Sequence, residues 1–259
     1  MMSMIEGLAL HRLTFRGTTR DVFVGGDGPP VVVMHEIPGL HPGVVALAHR
    51  LVARGFQVWV PTLFGDVGRP ISVRYDLKQI AKACVSREFT VWALGRSSPI
   101  VQWLRALAHH AHEASGGQPV GAVGMCLTGG FALAMAVDEF LAAPVLSQPS
   151  CPFAFTPSRA RSIDASDDEL QRVIDRGVCV LGLRFTGDRM VPGRRFDFLR
   201  ERLGERFEAI EIPSGLGTGI KPWAHSVLGV DYVDAPGHPT VAALERTVAF
   251  FDEHLRPAT

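Results

Sequence analysis

The feature that most constrains this chain is alternation. Short apolar runs that suit strands are separated, over most of the length, by segments with helical spacing. Residues 31–34 (Val-Val-Val-Met) form the kind of run that is buried on both faces of a parallel sheet. Residues 41–54 follow with Val44, Leu47, Ala48 and Leu51 on one helical face, and Gly55 is the natural stop. The pattern then repeats. Strands are expected at 56–60, 120–123, 143–146, 178–185 and 207–212, and helices at 99–113, 131–140, 166–176, 194–203 and 240–255. Ser166 with Glu169 makes a capping-box start for the third of these helices. Residues 13–24 read as an early hairpin or edge strand closed by a Gly- and Pro-rich turn, and 65–87 as an excursion above the sheet. Such alternation builds a doubly wound, mostly parallel α/β sheet with helices on both faces. Without a Pro/Gly/Ser linker or an internal repeat, residues 1–259 are expected to be a single domain.

Charge narrows the partners. Lys+Arg and Asp+Glu each number 26, so no basic excess invites nucleic acid or a membrane surface. A small-molecule substrate is the default, with the protein a monomer or small homo-oligomer. No apolar run approaches the roughly 20 residues of a bilayer span, and residues 1–10 carry Glu6 and lack the pattern of a signal peptide. A cytoplasmic location is therefore expected. The four cysteines (Cys84, Cys126, Cys151, Cys179) show neither C-x-x-C nor metal-ligand spacing and read as reduced thiols, with Cys179 in mid-strand.

The chemistry concentrates at Gly121-Ala122-Val123-Gly124-Met125-Cys126-Leu127-Thr128-Gly129-Gly130. An apolar strand runs into a glycine-rich turn and then straight into an apolar helix, which sets Cys126 on a nucleophile elbow. The helix N-terminus favours thiolate there, and the Leu127 N–H is a natural oxyanion donor. Thr128 occupies a position where the elbow usually has glycine. Either Gly129 takes over by a one-residue displacement or Thr128 tolerates the strain. A small buried thiol beside a tight turn is the bland alternative.

A nucleophile needs a base, and the base an orienting acid. Asp188 follows the strand at 178–185, and His225 follows the last strand, giving the order nucleophile, acid, histidine. Taken singly, Asp188 equally suits a turn and His225 a surface loop; together they are hard to obtain by chance. His238, the one rival base, opens the final helix. His109, His112 and Glu113 share a helical face but lack a fourth ligand, so no metal and no cofactor is expected.

Three stretches carry a resemblance to a known family: His35-Glu36-Ile37-Pro38-Gly39 after the strand at 31–34, the elbow around Cys126, and Gly187-Asp188-Arg189-Met190-Val191-Pro192; residues 58–64 add a weaker match. The chain resembles the dienelactone hydrolases (carboxymethylenebutenolidases), α/β-hydrolases with cysteine in place of serine. The resemblance implies the α/β-hydrolase fold and a carboxylic ester hydrolase that opens a lactone or cleaves a small ester through Cys126, His225 and Asp188 by way of a thioacyl-enzyme. It also implies that Glu36 contacts the resting thiol and helps generate thiolate on substrate binding, and that the Ile37 N–H is the second oxyanion donor. Arg74 and Arg87 lie where an arginine that holds a substrate carboxylate could project, though a solvated surface role suits each better. The alternatives are a broader carboxylesterase or thioesterase and a catalytically silent binding module on the same fold.

Overall fold

The computed structural model describes residues 5–65, 67–68 and 98–256. Their strands are β1 (Ala9–Phe15), β2 (Thr18–Gly25), β3 (Pro30–Met34), β4 (Gln57–Pro61), β5 (Val120–Met125), β6 (Leu141–Ser147), β7 (Val180–Phe185) and β8 (Phe207–Ile212). Their helices are α1 (Pro42–Ala53), α2 (Pro99–Ala114), α3 (Gly129–Met135), α4 (Pro157–Ala160), α5 (Asp167–Arg176), α6 (Gly193–Leu203) and α7 (Pro239–Leu255). One sheet runs in the order β1-β2-β4-β3-β5-β6-β7-β8. β1 pairs antiparallel with β2 and β2 antiparallel with β4, whereas β4, β3, β5, β6, β7 and β8 are mutually parallel.

The parallel strands are apolar on both sides because both sides are covered. Along β3, Val31 and Val33 pack in the core layer shared with α1 and α7, and Val32 and Met34 in the layer shared with α2, α3, α5 and α6. β5 divides in the same way, Ala122 to one layer and Val123 to the other. This period of two sets the register: a slip of one residue would exchange every side chain between layers. Each fully buried Val or Leu contributes roughly 1.5–3 kcal/mol of transfer free energy, so register is strongly specified.

The expected elements are recovered, with local shifts. Residues 13–24 belong to a hairpin, β1 and β2 turning at Arg16-Gly17. The helix after the elbow stops at Met135 instead of reaching residue 140. The chain turns there because Asp138 is drawn to Arg105 of α2 by a two-point ion pair, and the Asp138 carbonyl accepts the Leu141 N–H (3.1 Å). Cys179 lies just ahead of β7, half-buried, and not in mid-strand. The capping box at Ser166 and Glu169 is present, each side chain accepting the other's backbone N–H (3.2 and 2.8 Å). Most of the 65–87 excursion, with Cys84, Arg74 and Arg87, lies outside the described residues.

Candidate active site

In open α/β sheets ligands bind beyond the carboxyl ends of the strands, where connections depart in different directions. Glu36 follows β3 here, Cys126 follows β5, Gln148 and Ser150 follow β6, Asp188 follows β7, and His225 lies beyond β8. Glu36, Cys126, Asp188 and His225 therefore stand at this one end.

Cys126 opens a single 3-10 turn between β5 and α3, with φ +55°. A non-glycine residue in this left-handed region stores about 1–2 kcal/mol, so its surroundings must over-determine it. They do. A Cβ on Gly124 would lie 2.1 Å from the Thr128 carbonyl oxygen, and one on Gly129 would lie 2.5 Å from Pro149 Cα, so neither position accepts a side chain. Thr128 itself has negative φ (φ −90°, ψ 0°), outside the left-handed region that favours glycine. Its hydroxyl accepts the Met125 N–H (2.9 Å) and reaches the Met34 carbonyl (3.1 Å), tying the ends of β5 and β3 together. The close approach that excludes a side chain thus falls at Gly129, one residue beyond Thr128. Leu127 lies second in the turn, at the end where backbone N–H groups have no partner within the helix.

Beside Cys126 stands His225. Its Nδ1–H donates to Asp188 Oδ2 at 2.6 Å, and the other oxygen of Asp188 accepts the Met190 N–H at 2.9 Å. His225 Nε2 is buried and has no hydrogen-bond partner among the described residues. Burial alone would lower the imidazole pKa, but the neighbouring Cys126 sulfur and Asp188 outweigh it and hold the pKa well above 6.5. The backbone is fixed as well: Asp231 Oδ2 accepts the N–H groups of His225 (2.8 Å) and Ser226 (3.0 Å). Arg184 of β7, nearly fully buried, donates to the carbonyls of Thr186 (3.1 Å) and Val191 (2.9 Å), which bracket Asp188.

Glu36 is where the geometry departs from the resemblance. Its carboxylate does not hold the thiol. Oε1 accepts from His41 Nε2 (3.0 Å) and Ser226 Oγ, and Oε2 from Gln148 Nε2 (3.0 Å). His41 Nδ1 accepts the Gly43 N–H at 3.1 Å, so the ring is the Nε2–H tautomer. Burial would raise the Glu36 pKa, but hydrogen bonds from His41 and Ser226 and the nearby His41 and His225 rings hold it below 4.5. The sulfur's partner is instead Ser150 Oγ, 3.2 Å away. Ile37 occupies the turn from Glu36 to Gly39, closed by the Gly39 N–H to the Glu36 carbonyl (2.9 Å), with Pro38 in cis.

His35 points to the opposite side of the chain from Glu36. Its Nε2 accepts the Leu63 N–H (2.9 Å), which leaves Nδ1–H to donate to the Glu36 carbonyl (3.1 Å), and burial pulls its pKa down to about 4. His238 caps α7, accepting the Thr240 N–H. His112 stacks on Phe140 and bonds the Gln118 carbonyl, while His109 faces Glu113. Among the described residues no group of three or more His, Cys, Asp or Glu side chains could hold a metal ion, and no helix is long and apolar enough to cross a membrane. Sequence reasoning missed His41, Gln148, Ser150 and Ser226. The one available signal was positional, since Gln148 and Ser150 directly follow β6 at the carboxyl end of the sheet.

Fold and site together define an α/β-hydrolase. The dienelactone hydrolase family model matches residues 21–210, and the chain belongs to that family; it is a hydrolase. No curated protein matches the sequence. Among solved structures, a candidate dienelactone hydrolase from Klebsiella pneumoniae subsp. pneumoniae MGH 78578 is similar at 18% identity and TM-score 0.64, covering 95% of this chain and 99% of its own. The dienelactone hydrolase of Anabaena variabilis ATCC 29413 is 15% identical, TM-score 0.60, with 97% and 100% covered. A cold-adapted esterase from an Arctic intertidal metagenomic library is 16% identical, TM-score 0.59, with 95% and 93% covered. At these identities the structural likeness speaks for the fold alone.

Proposed function

We propose that the protein cleaves small esters or lactones by acyl transfer through Cys126, with His225 as base and acid and Asp188 as its orienting partner. The observation that carries this reading is the strained Cys126 set beside the buried, unpartnered Nε2 of His225, whose other nitrogen is committed to Asp188. With Nδ1 donating, Nε2 is the nitrogen free to take the thiol proton. The raised imidazole pKa suits His225 to take and hold a proton.

The thiolate attacks the carbonyl carbon, a C–S bond forms, and the carbonyl electron pair moves to oxygen. That oxyanion is received by the N–H groups of Leu127 and Ile37. Collapse expels the alcohol oxygen, which takes the proton from His225 Nε2–H and leaves a thioester on Cys126. Water, deprotonated by His225, then releases the acid. A lactone's leaving oxygen stays tethered to the acyl chain, so the second step must be prompt.

The test is turnover of a neutral aryl ester and a dienelactone by wild type and Cys126→Ala, with mass spectrometry of the quenched enzyme. Turnover with a transient acyl adduct on Cys126, both lost in the variant, is expected. Full activity of Cys126→Ala would overturn the reading.

A further inference from the structure

We infer that Ser150 is a further catalytic residue of this site: its hydroxyl donates to the Cys126 sulfur and stabilises the thiolate, the task the resemblance implies for Glu36. The inference rests on the reading of Cys126 as nucleophile. Ser150 is fully buried and meets Cys126 twice, through its N–H to the Cys126 carbonyl (3.0 Å) and through Oγ to Sγ (3.2 Å). Ser150 Oγ thus meets the sulfur alongside the His225 ring, which also interacts with it. A thiolate is only an acceptor, so once the proton has passed from Sγ to His225 Nε2 the hydroxyl must be the donor. Cys151, whose thiol also bonds Ser150, is pushed well above the ordinary cysteine range by burial and stays protonated. It does not compete as an anionic acceptor.

The hydroxyl is also held in place from behind. Arg195, fully buried, donates to the carbonyls of Pro149 (2.6 Å) and Pro152, on either side of Ser150 and Cys151, and to those of Arg159 (3.0 Å) and Ser162 (2.7 Å). Burial lowers its pKa only to about 10, so it is a fixed cation at neutral pH. Gln148, one residue before Pro149, has φ +36° and ties the same loop to Glu36 and to the Val227 N–H (3.2 Å). The donor is therefore pre-positioned, as electrostatic stabilisation requires. Glu36, with both oxygens engaged by His41, Ser226 and Gln148, is not available for the same task.

A donor to thiolate has two opposed effects. It increases the thiolate fraction, and it reduces the intrinsic nucleophilicity of each thiolate, with a Brønsted coefficient of about 0.4–0.5. Ser150→Ala should therefore lower the rate of iodoacetamide alkylation at Cys126 by about threefold at the acid end of the pH profile, where an about tenfold loss of thiolate, the effect of one hydrogen bond to a charged group, is partly offset by the greater nucleophilicity of what remains. The same change should raise the rate about threefold on the alkaline plateau, where all sulfur is thiolate. The two profiles cross. Alkylation is read on the Cys126 peptide by mass spectrometry, and Ser150→Gly supplies a second hydroxyl-free variant. Profiles that superimpose on wild type, or that fall in parallel at both ends, would overturn the inference. Because the readout is the sulfur itself, the Ser150 hydrogen bond is tested separately from the proposed function: full ester turnover by Cys126→Ala would overturn that function, and with it the catalytic role of Ser150, without moving the alkylation profiles.

Discussion

Two buried carboxylates stand at the carboxyl ends of strands in this sheet, and their surroundings give them different work. Asp188 spends one oxygen on His225 Nδ1 and the other on a backbone N–H, so its charge acts directly on the ring beside the sulfur. Glu36 accepts from an imidazole, an amide and a hydroxyl, and the sulfur is not among its partners. Both are nearly fully buried, at 5% and 2% exposure, so burial does not distinguish them. What differs is which group each one can polarise. Asp188 acts on the His225 ring, whereas Glu36 joins the loops after β3, β6 and β8 into one unit. Pairs of titratable groups with divergent environments are a common way for a fold to assign chemical roles.

The largest effect expected is on the Asp188 side. Asp188→Asn places an amide N–H against His225 Nδ1 and turns the ring to the tautomer with hydrogen on Nε2, which can no longer accept the thiol proton. Turnover should fall on the order of 10³-fold. Since Asp188 helps raise the His225 pKa, the residual activity should also lose its alkaline range, the descending limb moving to lower pH. Steady-state rates across pH check both. An unmoved alkaline limb would mean that Asp188 is a turn residue and the comparison fails.

Glu36→Ala should act on stability more than on the sulfur. It strands the His41, Gln148 and Ser226 donors in a dry site, and breaking such a buried network costs about 3–5 kcal/mol. Urea midpoints should register that loss, while alkylation of Cys126 at neutral pH stays close to wild type. An alkylation rate that collapses while stability holds would return Glu36 to the role of thiol activator.

His35 directly precedes Glu36, and it offers a pH test of the loop after β3. Its folded pKa of about 4 lies below the unfolded value of 6.5, so between these limits the unfolded chain binds the extra proton. Stability owed to His35 is fully present above pH 6.5 and is lost as pH falls toward 4, by about 3 kcal/mol in all. Other carboxylates titrate in the same window. The measurement is therefore the difference in unfolding free energy between wild type and His35→Gln, which should narrow by that amount on acidification. A difference independent of pH would place His35 in a wetter setting than its bonds to Leu63 and Glu36 indicate.

How far these roles were legible in the sequence follows from which interactions are local. The strand-helix alternation and the Cys126 turn are readable because period-two and period-3.6 burial, and glycines forced by close approach, are written within a few residues. Asp188 and His225 are readable by order, since each loop leaves the same end of a parallel sheet. Ser150 and Gln148 were not, because a Gln-Pro-Ser loop carries no signal until β6 is placed beside β5. The partners of Glu36 were not legible for the same reason: they come from positions 41, 148 and 226, and no local pattern tells which of them will reach a carboxylate first.

Thr128 provides the smallest test, and it bears on both halves of the comparison because it joins β3, which leads to Glu36, with β5, which leads to Cys126. One hydroxyl serves the Met125 N–H and the Met34 carbonyl, both buried. Thr128→Val keeps the shape, removes the hydroxyl, and leaves a buried N–H and carbonyl short of a partner, at a cost of about 1–3 kcal/mol. Thr128→Ser keeps the hydroxyl and loses one methyl, roughly 1 kcal/mol. If the tie matters to the elbow, Val should lower both the urea midpoint and turnover while Ser lowers stability alone. Equal turnover in the two variants would show that the strained Cys126 backbone is held by Gly124, Gly129 and Ser150 without help from the end of β3.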